Sequence, residues 1–390
     1  MSQSIIEKLL KGAEVEWKTL GTLCQNITTG KLNANAMAEN GLYPFFTCNE
    51  KPYTINQFSF DMEAIIISGN GSNVGHINYY KGRFDAYQRT YIVGNISSMG
   101  NIRYIYYYLK SQLRSYIFRN SKNGSIPYIT LPMLQNFLVP IPPLSVQKEI
   151  VRILDAFTAH TAELTAELTA ELNERKKQYN YYLNKLLTFS DDEVEWKTLG
   201  KILKRTGGTS ITAAKMKELN KANGALKIFA GGRTFAFVNF DDIPEKDIIK
   251  YPSIIVKSRG NIEFDYYDRP FSHKNEFWSY HSENDNIYIK YVYYYIKNKE
   301  QYFQNIGNAM QMPQISIRDT DLFLVPVPPL SVQKEIVRIL DSFSTLTTSI
   351  SEGLPREIEL RNKQYEYYRD QLLNFPKPEN DAIKHNSANI

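Results

Sequence analysis

The chain repeats itself, and no other feature of its sequence limits the possible folds so strongly. The octapeptide EVEWKTLG stands at Glu14–Gly21 and again at Glu193–Gly200, an offset of 179 residues. RYIYYYLK at Arg103–Lys110 returns as KYVYYYIK at Lys290–Lys297. The stretch Val139–Phe157 returns almost unchanged at Val325–Phe343, offset 186. Lys177–Tyr179 returns as Lys363–Tyr365, and Leu186–Phe189 as Leu372–Phe375. Between these anchors, residues 22–100 and 201–287 share little beyond scattered apolar positions. A period of this kind marks one structural unit used twice. Two equal binding sites would need equal inserts. A near-identical frame around divergent inserts suits a chain that reads two different things.

The frame reads as helix. Pro142-Pro143 and Pro328-Pro329 disfavour helix where they stand, and Ser145 and Ser331 follow as expected N-caps. Ile150, Ile153, Leu154, Phe157, Leu164, Leu168, Leu172, Tyr179, Leu183 and Leu186 then fall at three- and four-residue spacing. This is one apolar stripe on a helix of about 43 residues, about 64 Å long at 1.5 Å per residue. The second copy runs from Ser331 to about Asn374, with a break or kink expected at Gly353 and Pro355. Each stripe needs a partner. The other copy is the natural one, giving an antiparallel, coiled-coil-like pair and a pseudo-twofold repeat; the alternative is that each helix packs only on its own domain. The inserts read as mixed α and β. Glu63–Ile67 and Pro252–Val256 are short β-rich runs before the polar loops Ser68–Gly75 and Lys257–Asn261. The tyrosine-rich runs at 104–109 and 291–296 read as helices whose rings pack against a sheet.

Composition narrows the function classes. Of the net charge of +5, residues 1–144 carry +5 and residues 191–330 carry +1, so the basic excess sits in the first large segment. That fits a polyanion partner without requiring one. There is no apolar run of membrane-spanning length and no signal-peptide core. Cys24 and Cys48 cannot staple a chain this long, so a reducing cytoplasm is the expected compartment. The sequence has no phosphate-loop motif, no His-Glu-x-x-His, no Gly-x-Ser-x-Gly elbow and no metal-ligand spacing among its five histidines. Its Pro-Pro pairs are not the Asn-Pro-Pro-aromatic motif of amino-methyltransferases. Catalysis by this chain is not expected.

In combination, these motifs are similar to one family. EVEWxxLG opens each half, PxPPLxxQxxIVxILD opens each helix, and Thr-Ala-Glu-Leu stands three times in tandem at 161–172. NERKKQYNYY closes the first helix, and a related run ending at Tyr368 closes the second. The whole resembles the DNA-specificity subunit of a type I restriction-modification enzyme, in the subgroup with Thr-Ala-Glu-Leu repeats. The resemblance implies an α+β fold of two mixed α/β target-recognition domains joined by two long antiparallel helices. The expected segments are domain 1 at 1–144, a central spacer helix at 145–189, domain 2 at 190–330, a second spacer helix at 331–375 and a disordered tail at 376–390. It also implies a bipartite, asymmetric double-stranded DNA target with a fixed spacer. The implied partners are two methylation subunits, which use S-adenosylmethionine, and restriction subunits, which use ATP and Mg; this chain would bind none of those cofactors. A stand-alone DNA-binding regulator and a coiled-coil adaptor are the competing functions. The first lacks a small reader fold such as helix-turn-helix, and the second leaves the divergent inserts without a purpose.

Base reading needs donors and acceptors at base edges, with Arg or Lys suited to guanine and Asn or Gln to adenine. The candidates in domain 1 are Ser68, Asn70, Ser72, Asn73, Gln88, Arg89, Lys122, Asn123 and Ser125. In domain 2 they are Arg205, Arg233, Lys257, Arg259, Asn261, Gln311 and Gln314. Gln147, Lys148, Glu149 and Arg152, with their counterparts Gln333, Lys334, Glu335 and Arg338, are the candidates for docking two equal partners. Leu164, Leu168 and Leu172 place one leucine of each quartet on the apolar stripe. A quartet turns a helix by about 400°, a net drift of about 40°, and lengthens it by about 6 Å. DNA advances about 3.4 Å and 34° per base pair. The quartets therefore read as a ruler, with one base pair of spacer per quartet.

Overall fold

The computed structural model describes residues 4–120, 127–232, 234–307, 312–348 and 352–376. The chain divides into two units, Met1–Glu167 with Ile358–Ile390, and Leu168–Glu357. In chain order the first elements are α1 (Ile5–Leu10), β1 (Glu16–Thr19), α2 (Leu20–Leu23) and β2 (Cys24–Thr29). Then come β3 (Tyr43–Phe46), β4 (Tyr53–Ile55), β5 (Phe60–Ser68), β6 (Ile77–Ala86) and β7 (Thr90–Ile96). The helices α3 (Ile102–Asn120) and α4 (Leu131–Gln135), the strand β8 (Leu138–Ile141) and the long helix α5 (Leu144–Leu186) follow. The second half repeats this order with β9 (Glu195–Thr198), α6 (Leu199–Ile202), β10 (Lys204–Gly207), α7 (Ala213–Leu219), β11 (Leu226–Phe229) and β12 (Phe235–Val238). It continues with β13 (Ser253–Lys257), β14 (Glu263–Tyr267), β15 (Phe271–His273) and β16 (Trp278–His281). It ends with α8 (Ile289–Asn298), α9 (Glu300–Gly307), α10 (Ile317–Asp321), β17 (Leu324–Val327), α11 (Leu330–Thr348) and α12 (Leu354–Leu373).

The first sheet has the order β2-β7-β5-β6-β3-β4. The second half keeps the central order as β10-β16-β13-β14, with a separate β12-β11-β15 sheet. Ten-residue β6 pairs with β5 and, at its end, runs parallel to β3. In the second half β14 and β15 divide those two tasks. Residues 64–67 of β5 are all buried because both faces of the strand are covered. Ile65 and Ile67 face the cluster containing α3, while Ala64 and Ile66 meet Phe46, Phe84 and Ile92. Ile254 and Val256 of β13 point likewise to the α8 side, and Ile255 points to Phe229, Phe271 and Phe277.

Each tyrosine of the repeated run has its own partner, the same in both halves. Tyr104 and Tyr291 donate to Pro140 O at 2.7 Å and Pro326 O at 3.0 Å. Tyr106 packs on Tyr79 and Tyr293 on Tyr266, both at 5.7 Å between ring centroids. Tyr107 and Tyr294 donate to Asp155 and Asp341. Tyr108 meets Trp17 edge-on at 6.5 Å, and Tyr295 meets Trp196 at 6.4 Å. The two most constant motifs also meet each other. β1 pairs with β8, placing Trp17 opposite Pro140, and β9 pairs with β17, placing Trp196 opposite Pro326. The prolines fit because each ladder has only two strands.

The long helix α5 has 43 residues and begins one residue before Ser145, which sits inside its first turn. The second copy is not continuous. Gly353 takes φ +83°, a conformation that favours glycine, and α12 starts at Leu354. The unit boundaries fall within α5 and α12. The first core therefore takes Ile150 and Leu154 from the start of α5, Leu372 and Leu373 from the end of α12 and Phe375 just after it. The second core takes Ile336 and Leu340 from α11, Leu183 and Leu186 from the end of α5 and Leu187 just after it. Within the first unit the two helices run antiparallel, with Phe157 against Tyr368 and Leu164 lining a crevice with Arg361.

Candidate nucleic-acid interface

One end of each sheet gathers chain segments that are far apart in sequence. In the first unit Gly69 N donates to Arg89 O at 3.0 Å, and Ile129 N donates to Gly69 O at 2.8 Å. Gln88 N donates to Leu32 O, and Tyr87 N to Phe46 O, both at 2.9 Å. A Cβ at Gly30 would lie 1.8 Å from Ala86 O, so only glycine allows this approach. The second unit makes the same cluster. Ile315 N donates to Ser258 O at 3.0 Å, Lys274 N to Phe229 O at 2.9 Å and Thr209 N to His273 O at 2.8 Å. Ser258 Oγ donates to Glu276 O at 2.9 Å. A Cβ at Gly208, the counterpart of Gly30, would lie 2.1 Å from His273 O. His273 is fully buried, its Nε2 lies 3.1 Å from Ser279 Oγ, and burial holds its pKa below the ordinary value.

The backbone scaffold is thus shared while the side chains on it differ. Around the first cluster stand Asn70, Ser72, Asn73, Gln88 and Arg89, exposed or half-buried. Cys48 Sγ lies 3.1 Å from Asn70 Oδ1. Around the second stand Arg259, Asn261 and Gln314, and an antiparallel bridge joins Arg259 to Gln314. Arg89 and Arg259 are exposed, and among the described residues neither guanidinium has an ion-pair or hydrogen-bond partner. Sequence reasoning missed the turn Lys274–Glu276, which occupies the place of Tyr87–Arg89 and exposes Asn275. No motif marks it; its place shows only once β15 is set parallel to β11, which brings Lys274 N to Phe229 O.

Several sequence-based expectations need correction. Ser68 is buried at the end of β5. Lys257 is the last residue of β13 rather than a loop residue, and it is buried between Asp265 at 2.8 Å and Glu263 at 3.3 Å. Burial disfavours its charge, yet the two carboxylates outweigh this and raise its pKa. Arg205 lies opposite Tyr280, toward the other end of the sheet, and pairs with Asp321 at 2.6 Å. Lys122, Asn123, Ser125, Arg233 and Gln311 lie outside the described residues, as does most of the expected tail.

On the helix starts, Gln147 and Gln333 are buried rather than exposed, and their side chains bond the adjoining main chain. Gln147 Nε2 donates to Met99 O at 2.9 Å and Pro142 O at 2.8 Å, and its Oε1 accepts from Asn101 N at 2.8 Å. Gln333 repeats this with Asn286 O, Pro328 O and Tyr288 N. Lys148 and Lys334 are exposed. Arg152 pairs with Glu149, and Arg338 with Glu335, both at 2.7 Å. These arginines hold both carboxyls below their usual pKa. Leu164, Leu168 and Leu172 are half-buried along α5. Among the described residues no group of His, Cys, Asp and Glu side chains could hold a metal ion, and no helix is long and apolar enough to cross a membrane.

Two α+β units on a repeated helical frame, each with a differently furnished loop cluster, define a two-site reader. The family profile for the type I restriction modification DNA specificity domain matches twice, at residues 13–174 and 191–360. The chain is 34% identical over 411 residues to the specificity subunit of the Escherichia coli type I restriction enzymes EcoR124I and EcoR124II, covering 96% of this chain and 98% of that one. Its fold matches a chain from a solved structure of a type I restriction-modification system with TM-score 0.64, at 14% identity over 92% of this chain and 97% of that one. It also matches the S subunit of the M. genitalium system with TM-score 0.56, at 18% identity over 94% and 98%. The chain belongs to the type I restriction-modification specificity subunits. It is the component that recognises the DNA target, not the catalytic one.

Proposed function

We propose that each loop cluster reads one half of a bipartite, asymmetric DNA target. In the first unit Asn70, Ser72, Asn73, Gln88 and Arg89 face base edges or neighbouring phosphates. In the second unit Arg259, Asn261, Asn275 and Gln314 do so. One observation carries this reading: the two clusters are built by equivalent main-chain hydrogen bonds, yet they present different donors and acceptors. α5 and its partner helices set the spacer, with Leu164, Leu168 and Leu172 keeping each quartet on the apolar stripe. Lys148, Glu149 and Arg152, with Lys334, Glu335 and Arg338, form two equal surfaces for two methylation subunits, through which restriction subunits join. S-adenosylmethionine, ATP and Mg belong to those partners, and the cytoplasm is the place of action. The test replaces residues 22–138 with the insert of a relative and maps methylated adenines. Only one half of the target is expected to change; a change in both halves would refute independent reading.

A further inference from the structure

The seam between each recognition domain and its helix holds a polar cluster that packing alone does not require. In the first unit Arg103 of α3 lies 4.7 Å over the Tyr79 ring of β6 and forms an ion pair with Asp155 of α5. Tyr107 donates to the same carboxylate at 2.5 Å. One turn further, Thr158 Oγ1 lies 3.4 Å from Tyr107 OH and 3.1 Å from Tyr365 OH of α12. Strand, domain helix and both frame helices thus meet in one cluster, at whose centre α3 holds the Asp155 carboxylate. The second unit rebuilds the cluster from different cationic chemistry. Lys290 of α8 pairs with Asp341 of α11 at 2.7 Å and lies 5.3 Å from the Tyr266 ring centroid. Tyr294 donates to Asp341 at 2.6 Å. Tyr179 of α5, the counterpart of Tyr365, lies close enough for Asp341 to help burial raise its pKa.

The acid and the phenols are constant, while the cation is Arg in one half and Lys in the other. Apolar contacts such as Ile150 and Leu154 hold a domain on a helix without directional preference. A carboxylate held by a cation and a phenol one turn apart on the same domain helix is directional, because charged hydrogen bonds weaken steeply when bent. Burial and the neighbouring carboxylate raise the pKa of both Tyr107 and Tyr294, so they remain donors at neutral pH. On α5, Thr158 of the first clamp and Tyr179 of the second bracket the three quartets at 161–172.

We propose that the Asp155 and Asp341 clamps are positioning devices. They fix the rotation of each recognition domain about its helix, so that the spacer set by α5 is read without slack. This rests on the spacer-ruler reading. A neighbouring spacer length differs by about 34° of DNA rotation, which two rigidly held domains cannot share but two rocking domains can.

The experiment reconstitutes the chain with its methylation subunits and measures adenine methylation of duplexes carrying the mapped half-sites. Spacers of the native length and one base pair shorter or longer are compared. D155N and D341N keep side-chain size but lose the charge. Each is expected to leave both half-site sequences unchanged and to lower discrimination against the wrong spacers at least about tenfold, the equivalent of one lost charged hydrogen bond. Y107F and Y294F, which keep ring and ion pair, are expected to act in the same direction more weakly. A purely structural role would instead lower thermal stability and methylate all spacers proportionally less; unchanged discrimination in a folded D155N overturns the proposal. Should D155N not fold, Y107F decides by the same criterion. Deleting Thr165–Leu168 from the otherwise unaltered chain separates the two ideas. If the deletion leaves the spacer unmoved, the ruler reading fails; if it moves the spacer while D155N stays sharp, only the clamp fails.

Discussion

Replacing Gln147 by alanine is the sharpest test of whether the repeated helix starts serve folding or docking. The side chain is 0% exposed and satisfies three main-chain groups: Met99 O, Pro142 O and Asn101 N. The last is the N–H of the residue whose side chain accepts from Arg103 N and Tyr104 N at the start of α3. Truncation leaves these three groups without a partner in a site closed to water, at about 1–3 kcal/mol each. Partial relaxation brings the expected loss to about 3 kcal/mol. For a unit of this size that lowers the melting temperature by about 6–12 °C. Q147E is expected to be worse than Q147A, because a carboxylate cannot donate to two carbonyls and would bury a charge against them. Gln333 supplies an internal replicate with the same three bonds in the other unit, so Q333A should match Q147A. Calorimetry of the isolated chain measures both, since no partner is needed. A Q147A chain that melts within about 2 °C of the parent yet fails to assemble with the methylation subunit would refute the structural role and return Gln147 to the docking surface.

Three further outcomes are expected. Deleting Thr165–Leu168 removes about 40° of net helix drift and should shorten the non-specific spacer by one base pair with both half-sites unchanged; methylation mapping that finds the parental spacer would sink the ruler. Reversing Lys148 and Arg152, or Lys334 and Arg338, to glutamate should weaken co-purification with the methylation subunit without altering the melting temperature, and assembly at parental strength would leave helix packing as the reason these residues repeat. Burial of His273 lowers its folded pKa below the ordinary value of 6.5, so between the two values the unfolded chain holds a proton that the folded unit refuses. Its contribution to stability is therefore complete above pH 6.5 and is lost as pH falls through the folded value. H273Q should flatten that part of the stability–pH curve, and an unchanged slope would assign it to carboxylates instead.

Much of the frame was legible because its signals are local. The apolar stripe of α5, the tyrosine helices α3 and α8 and the strands β5 and β13 each show in a window shorter than twenty residues. What escaped depends on register across long separations. That EVEWKTLG pairs with the Val-Pro-Ile-Pro segment is a β1–β8 contact spanning more than 100 residues. Leu372 and Phe375 completing the first core is a closure over the whole chain. Periodicity shows that a helix has an apolar face, not which domain receives it. Lys257 was misplaced for a similar reason. Its partners Glu263 and Asp265 become neighbours only once β13 and β14 are set in antiparallel register, with Lys257 opposite Glu263.

The pattern of a constant frame around divergent inserts follows from where the bonds are. In the frame, side chains carry the directional contacts: Gln147 makes three, and four tyrosines in each half have four different partners. Changing one such side chain breaks a named bond, so the two copies can differ little. At the loop clusters the positions are reversed. Arg89, Ile129, Ser258 and Ile315 hold the loops through main-chain N–H and C=O groups, which any non-proline residue supplies. The side chains of Gln88, Arg89 and Arg259 are left to solvent and to whatever the loops meet. Substitution of these three side chains removes no side-chain hydrogen bond or ion pair of the described structure, so the chemistry presented to DNA can change while the cluster that presents it stays built.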